Sequence, residues 1–411
     1  MTPQRAYGET AVTSTILAIT SLTIIAGATI APSLPGIRDH FIDTPGTELL
    51  TRLLLTIPAL AIALFAPGVG WVLDRYGRKR VIFVAIIGYA IAGTAGLYLD
   101  SLISIIVSRA LLGMCVAGTL TGATTLVGDY FRGNDRNRVL GLQAGFTGFA
   151  GVVSLVAGGS LAELHWRAPF FLYFIALPVI PMVLMVVREP GAKEREALED
   201  GADAPASMRA RVVALVAAVY AVSFTVQIAF YMMPVQLPFY LAEMGEPSPS
   251  RAGMSLATMT LCASFVAISF RWIRLWLDRT VILAISLGGL GLGFLLVARA
   301  DSYGGVMLGN VAIGIAMGLN FPNLMGWLMA RTPGHVRGRI VGGLMTCVFL
   351  GQFSSPIVTQ PLISRGGLEY GYRGMGIVLL CVAAIAGLSA GLKPLQRRRA
   401  QNTPGGSLPH N

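Results

Sequence analysis

Long apolar runs separated by short polar connections set the pattern of this chain. A helix needs about 20 mostly apolar residues to cross the hydrocarbon of a bilayer. Twelve stretches meet that need: 14–37, 49–73, 80–99, 102–127, 139–162, 168–187, 212–241, 252–271, 280–299, 303–330, 340–363 and 374–392. The first is too long for a signal-peptide core and is followed by further spans, so it is read as a retained helix. One linker stands out, 188–211, where EPGAKEREALEDGADAPAS mixes charge with Ala, Gly and Pro and shows no apolar period. It divides the spans six and six. The expected fold is an all-α membrane protein: a six-helix bundle over 1–187, a cytoplasmic loop at 188–211, a second bundle over 212–393 and a cytoplasmic tail at 394–411. The composition of that tail predicts disorder.

Composition agrees. Of 411 residues, 54% are hydrophobic and only 12% are charged, about half the charged share of a soluble domain. A disulfide-stapled, collagen-like or disordered chain is excluded, and a large soluble enzyme lacks the charge its surface would need. The net charge of +11 suggests nucleic acid only if the chain is soluble. With both termini placed in the cytoplasm, 23 of the 31 cations fall on the termini and alternate loops of that side, 7 fall opposite, and Arg109 lies within a span. Such a bias is the positive-inside signature of a multi-pass protein of the cell (inner) membrane, and it leaves the nucleic-acid reading without a purpose. Cys115, Cys262, Cys347 and Cys381 each stand alone in apolar runs, so all four are expected to be small buried hydrophobes. The sequence has no HExxH, Walker loop or strand-anchored GxGxxG. No catalytic group, metal site or cofactor is expected.

The six-plus-six division invites a test for duplication. Sliding the chain by 201 residues brings Gly113 onto Gly314, Gly133 onto Gly334, Arg136 onto Arg337, Arg138 onto Arg339, Gly141 onto Gly342 and Ser154 onto Ser355. Chance pairing of glycines is weakened by Arg-Asn-Arg at 136–138 meeting Arg-Gly-Arg at 337–339 in equivalent loops. Two pseudo-symmetric halves make a transporter, with its site between them, the leading class.

Specific residues carry a resemblance. Gly70-Trp-Val-Leu-Asp74-Arg75-Tyr-Gly77-Arg78-Lys79-Arg80 resembles the loop signature G-x-x-x-D-R-x-G-R-[RK] of the major facilitator superfamily. Physically, Gly70 allows close helix packing and Gly77 a tight turn. Asp74 opposes the dipole at a helix C-terminus and so needs Arg75, Arg78 or Lys79 beside it, with Asp129 able to join. The resemblance implies a conformational latch made of these residues. Arg109-Ala-Leu-Leu-Gly113 resembles the R-x-x-x-G motif of the twelve-helix drug:proton antiporter-like branch, where the arginine is tied to substrate or proton. Gly151 to Gly158-Gly159 resembles the glycine-rich antiporter motif but has Ser154-Leu155 where that motif has Gly-Pro, which weakens an inference of antiport. Gly351-Gln-Phe-Ser-Ser355-Pro356 is its repeat mate, and Gly113, Gly151, Gly158, Gly159, Gly351 and Pro356 are expected at close helix contacts. Pro32-Ser-Leu-Pro35 resembles the end of the first span in the same branch.

The acids sharpen the reading. All 20 lie in loops or at span ends, while Arg109 is the one ionisable group placed well inside a span. An intramembrane charge is costly and marks function by default. A cavity with a buried cation and no buried carboxylate suits neutral, zwitterionic or anionic substrates better than dications. Spans 7 and 10 line the cavity in the family, so Gln227 and Tyr231, which share a face four residues apart, and Asn320 and Asn323 are candidate substrate contacts, with Gln352. Each is also explained by polar gluing of helices. The expected function is proton-coupled export of small organic compounds by a monomeric carrier in contact with lipid; the alternatives are proton-coupled import of a metabolite or organic anion, and a transport-inactive membrane sensor.

Overall fold

In the computed structural model, which describes residues 8–188 and 210–401, each apolar run is a helix. In chain order these are α1 (Glu9–His40), α2 (Thr47–Tyr76), α3 (Arg78–Leu97), α4 (Leu102–Tyr130), α5 (Gly133–Leu164), α6 (Ala168–Val186), α7 (Ala210–Glu243), α8 (Pro249–Trp276), α9 (Arg279–Ala298) and α10 (Tyr303–Arg331). The helix that follows, Gly334–Gln401, is two helices joined at non-helical Gly366 and Gly367. Its parts, 334–365 and 368–401, are α11 and α12. Eleven continuous apolar helices are therefore twelve spans. The linker residues 189–209 lie outside the described residues. The last helix runs to Gln401, past the Pro394 where composition placed the start of a tail; Gln, Arg and Ala there are good helix formers.

The duplication is visible in packing. A methyl group at Gly113 of α4 would run into the carbonyl oxygen of Pro58 on α2. At the repeat mate Gly314 of α10 it would run into the carbonyl of Met259 on α8. Each half thus sets its fourth helix backbone-to-backbone on its second, which only glycine permits.

The α2–α3, α4–α5, α8–α9 and α10–α11 turns share one end of the molecule, which carries most of the cations and is called the basic end here. At the opposite end the halves meet. Gly159 of α5 packs 2.8 Å from the Pro249 carbonyl of α8 (measured to the Cβ it lacks), and Gly253 of α8 lies against the Leu155 carbonyl. Glu163 accepts from the Ser248 hydroxyl and from the Ser250 amide at 3.2 Å. Toward the basic end the two helices part. They stay in contact as far as Gly148, which lies against the Ser264 side chain, whereas Gly145 and Gly141, nearer the basic end, have nothing within 4 Å of a would-be Cβ.

Two expectations need correction. Gly70 has nothing within 4 Å of a would-be Cβ, so it makes no close helix contact; α2 and α3 diverge at this level. The cysteines are not fully buried: three are half-buried, Cys115 lying against Gly88 and Cys262 against Gly314, and Cys381 is exposed.

Candidate functional site

Gly77 makes the turn between α2 and α3 at φ +92°, a backbone region that side chains resist. The turn brings Arg78 back over α2 and α4. Its Nε lies 2.9 Å from Asp129 Oδ2 and its Nη2 lies 3.6 Å from Asp74 Oδ1. The arginine is buried, Asp129 is nearly so, and Asp74 is exposed. Lys79 turns the other way and donates to the Leu184 carbonyl of α6 at 2.5 Å. Arg75 lies over the rings of Trp71 and Tyr76. These residues tie α2, α3, α4 and α6 together at the basic end of the first half.

Arg109 is fully buried, but not between the halves. Its Nη2 donates to the carbonyls of Ala92 at 3.3 Å and Gly93 at 2.5 Å, both on α3. Its guanidinium carbon lies 4.8 Å from the Phe170 ring centroid and 4.7 Å from that of Tyr173, both on α6. The local sequence explains this. α6 opens as a 3-10 helix over Ala168–Ala176, where residues three apart eclipse, so Phe170 and Tyr173 stack on one face. Gly93 and Gly96 of α3 leave room for those two rings. Nε and Nη1 of Arg109 take no hydrogen-bond partner among the described residues. The group is therefore held by two carbonyls and two π faces, behind the surface that meets the other half. From there Tyr173 Oη donates to the Ala26 carbonyl of α1 at 3.3 Å. The next residue, Gly27, faces the other half: its missing Cβ would lie 3.0 Å from Tyr231 Oη of α7.

The remaining predicted residues divide. Gln227 is buried one turn from Tyr231, with its Oε1 unpaired among the described residues, and packs against Gly351 of α11. Gln352 follows it, half-buried. On the facing half, Gln143 of α5 donates to the Thr20 hydroxyl of α1 at 2.7 Å. Thus Tyr231, Gln227 and the Gln143–Thr20 pair belong to the surfaces where the halves approach. Asn320 and Asn323 do not: Asn320 donates to the Ser286 hydroxyl at 3.1 Å and Asn323 to the Arg279 carbonyl at 2.9 Å, both on α9 within the second half. Gly151 faces Ile24 of α1 and Thr260 of α8, Gly158 abuts the Thr29 carbonyl, and Ser355, beside Pro356, donates to the Ile228 carbonyl at 2.7 Å.

Sequence reasoning missed Arg52. Placed near the end of a span, it was grouped with the loop cations, yet it is buried. Its Nε donates to Gln236 Oε1 of α7 at 2.9 Å, 184 residues away, and its Nη1 to the Glu48 carbonyl at 3.1 Å. Its guanidinium lies 5.1 Å from the Phe239 ring, with Arg38 at 5.2 Å from the same ring. Gln236 was visible as a polar residue in an apolar run; nothing in the sequence paired it with position 52. This cluster closes the end opposite the basic loops. Among the described residues every carboxylate lies in a loop or in the terminal turns of a helix.

Comparison with known proteins follows the same lines. A family model described as Major Facilitator Superfamily matches residues 16–356. The tetracycline resistance protein, class C, of Escherichia coli is 26% identical over 393 residues, covering 90% of this chain and 95% of its own length. The cis,cis-muconate transport protein of Acinetobacter baylyi is 26% identical over 341 residues, covering 78% of this chain and 80% of its own. Among solved structures, a bacterial homolog of the human lysosomal transporter Spinster, in an inward-facing and occupied conformation, superposes with a TM-score of 0.73 at 18% identity, over 95% of this chain and 97% of that one.

Proposed function

The chain belongs to the Major Facilitator Superfamily, and from that premise we propose that it exports small organic compounds in exchange for protons by alternating access. Membership makes it a multi-pass membrane transporter and not an enzyme. The observation that carries the proposal is the asymmetry of the two halves. They are sealed at one end by Arg52, Gln236 and the α5–α8 glycines, and α5 and α8 part toward the basic end beyond Gly148. With the basic end in the cytoplasm, this is the state that loads from inside. Similarity to a tetracycline resistance protein along nearly its whole length supports the outward direction.

In this reading Gln227, Tyr231, Gln352, Gln143 and Thr20 contact the substrate. A solute whose amide, hydroxyl or carboxylate groups satisfy these partly unpaired dipoles gains more than one that leaves them dry. Arg109 acts from behind. Its charge, poorly screened in an apolar bundle, favours electron-rich groups near Gly27 and Tyr231 and disfavours cations. Asn320 and Asn323 hold α10 to α9 and leave substrate contact to the other five. Asp74, Arg75, Gly77, Arg78 and Asp129 form the latch of the basic end when the cycle closes it. Protons enter through carboxylates at the helix ends, since none lies deeper among the described residues.

A second reading, proton-coupled import of an organic anion, is favoured by the muconate relative and by the same lack of deep carboxylates. Energised vesicles separate the two. Accumulation of a neutral or anionic organic compound in inverted vesicles, collapsed by a protonophore, is the expected result. Accumulation in right-side-out vesicles alone establishes import and overturns export. Absence of proton-dependent flux across a broad panel overturns both.

A further inference from the structure

The first half carries a deep groove on its outer surface, away from the other half. α2 and α3 both pack on α4 but diverge from each other beyond the Gly77 turn. The space between them is a groove of about 1120 Å³ walled by α2 and α3 and floored by α4. Gly68 and Trp71 stand on one wall, Val84 and Ile91 on the other, and Leu111 and Met114 on the floor. Small residues deepen it, and it opens sideways along the apolar height of the helices, from Tyr76 and Arg80 at the basic end to Tyr98 at the other.

Its polarity is one-sided. Among the described residues, Arg80 is the only charged one that lines it, and it is exposed. Trp71 and Tyr76 sit at the same rim, with Arg75 over both rings at 5.6 and 6.0 Å. Aromatic and basic side chains at this depth mark the level of lipid headgroups. The far rim has Tyr98 and Ser104 and no charge. A ligand that fits both features has one anionic head at the basic end and apolar chains running up the groove. The room exceeds what one acyl chain fills. We propose that the groove binds an anionic glycerophospholipid from the leaflet at the basic end, with its phosphate on Arg80 and its chains between α2 and α3.

Native mass spectrometry of the purified full chain tests this, with phosphatidylglycerol and phosphatidylcholine added in parallel. One basic residue at a membrane surface favours an anionic lipid about five-fold, so one phosphatidylglycerol should be retained at about five-fold lower concentration than phosphatidylcholine. Arg80→Gln should bring the two lipids to parity. Gly68→Leu should weaken both. A side chain at Gly68 meets nothing within 4 Å, so leucine there enters the groove without a clash and favours the helix, and an unchanged melting temperature would verify the fold. A phosphatidylglycerol preference that survives both substitutions overturns the proposal. So does a change of oligomeric state on Gly68→Leu with lipid retention unaltered, which would make a second copy of this chain the occupant.

Discussion

Replacing Gln236 by alanine should release the end of the molecule opposite the basic loops. The bond removed runs from a buried guanidinium to a buried amide oxygen at 2.9 Å. A hydrogen bond to a charged group contributes about 1.5–3 kcal/mol. It exists only while α2 of one half touches α7 of the other, so its whole value leaves the closed state. A loss of about 2 kcal/mol moves the ratio of closed to open molecules at that end about thirty-fold. Arg52 keeps the Glu48 carbonyl of its own helix, so the first bundle has no reason to unfold, and its contact with the Phe239 ring of α7 remains in both parent and variant while the end is closed. Double electron–electron resonance reads the outcome directly. Spin labels replace Ile42 and Asp301, two exposed loop positions of that end in different halves, after the four native cysteines are changed to serine. The variant should show a longer-distance population that is minor in the parent. If the distance distribution is unchanged while the melting temperature is retained, the Arg52–Gln236 bond does not hold the halves together and the reasoning fails.

Gly253→Ala places a methyl group against the Leu155 carbonyl across the halves; the same label pair should show that end held open, and transport should fall at least ten-fold. Arg78→Ala removes the buried guanidinium that lies 2.9 Å from Asp129, a charge-assisted contact worth about 2 kcal/mol, so the melting temperature should drop by several degrees in a detergent-solubilised thermal scan, and an unaltered value would remove the pair from the fold's support. Arg109→Lys should lose transport almost as fully as Arg109→Ala, since an ammonium cannot reach two carbonyls and two rings at once; full flux in the lysine variant would show that charge alone suffices.

Much of the scaffold was legible because membrane insertion demands it. Twelve apolar runs, the cation bias and the Gly113–Gly314 correspondence all follow from the need to satisfy backbone groups in lipid and to bring duplicated helices together. The Arg78–Asp129 pair was legible because both residues lie at helix ends on one side. Facing was not. Helices that are apolar all round carry little information about which side meets lipid, bundle core or cavity. Arg109 therefore looked like a cavity residue, and only the eclipsed Phe170 and Tyr173, with the space left at Gly93 and Gly96, show that it points into its own bundle. Asn323 likewise turned out to hold the first turn of α9. Arg52 escaped notice because a span's first turn resembles a loop in sequence, and its partner lies in the other half of the chain.

The Gly366–Gly367 joint fixes where this chain can change length. α11 leans on α7 at Gly351 and α12 leans on α9 at Gly376, and only two residues outside helical geometry separate them. One of these, Gly367, sits at φ +78°, where no other residue is comfortable. Every added residue would lengthen the path by up to about 3.5 Å and force one helix out of register with its neighbour. Epitope tags, reporter domains and natural insertions should be tolerated at other connections well before this one. Among homologues of differing loop lengths, the spacing between α11 and α12 should be the one that does not drift.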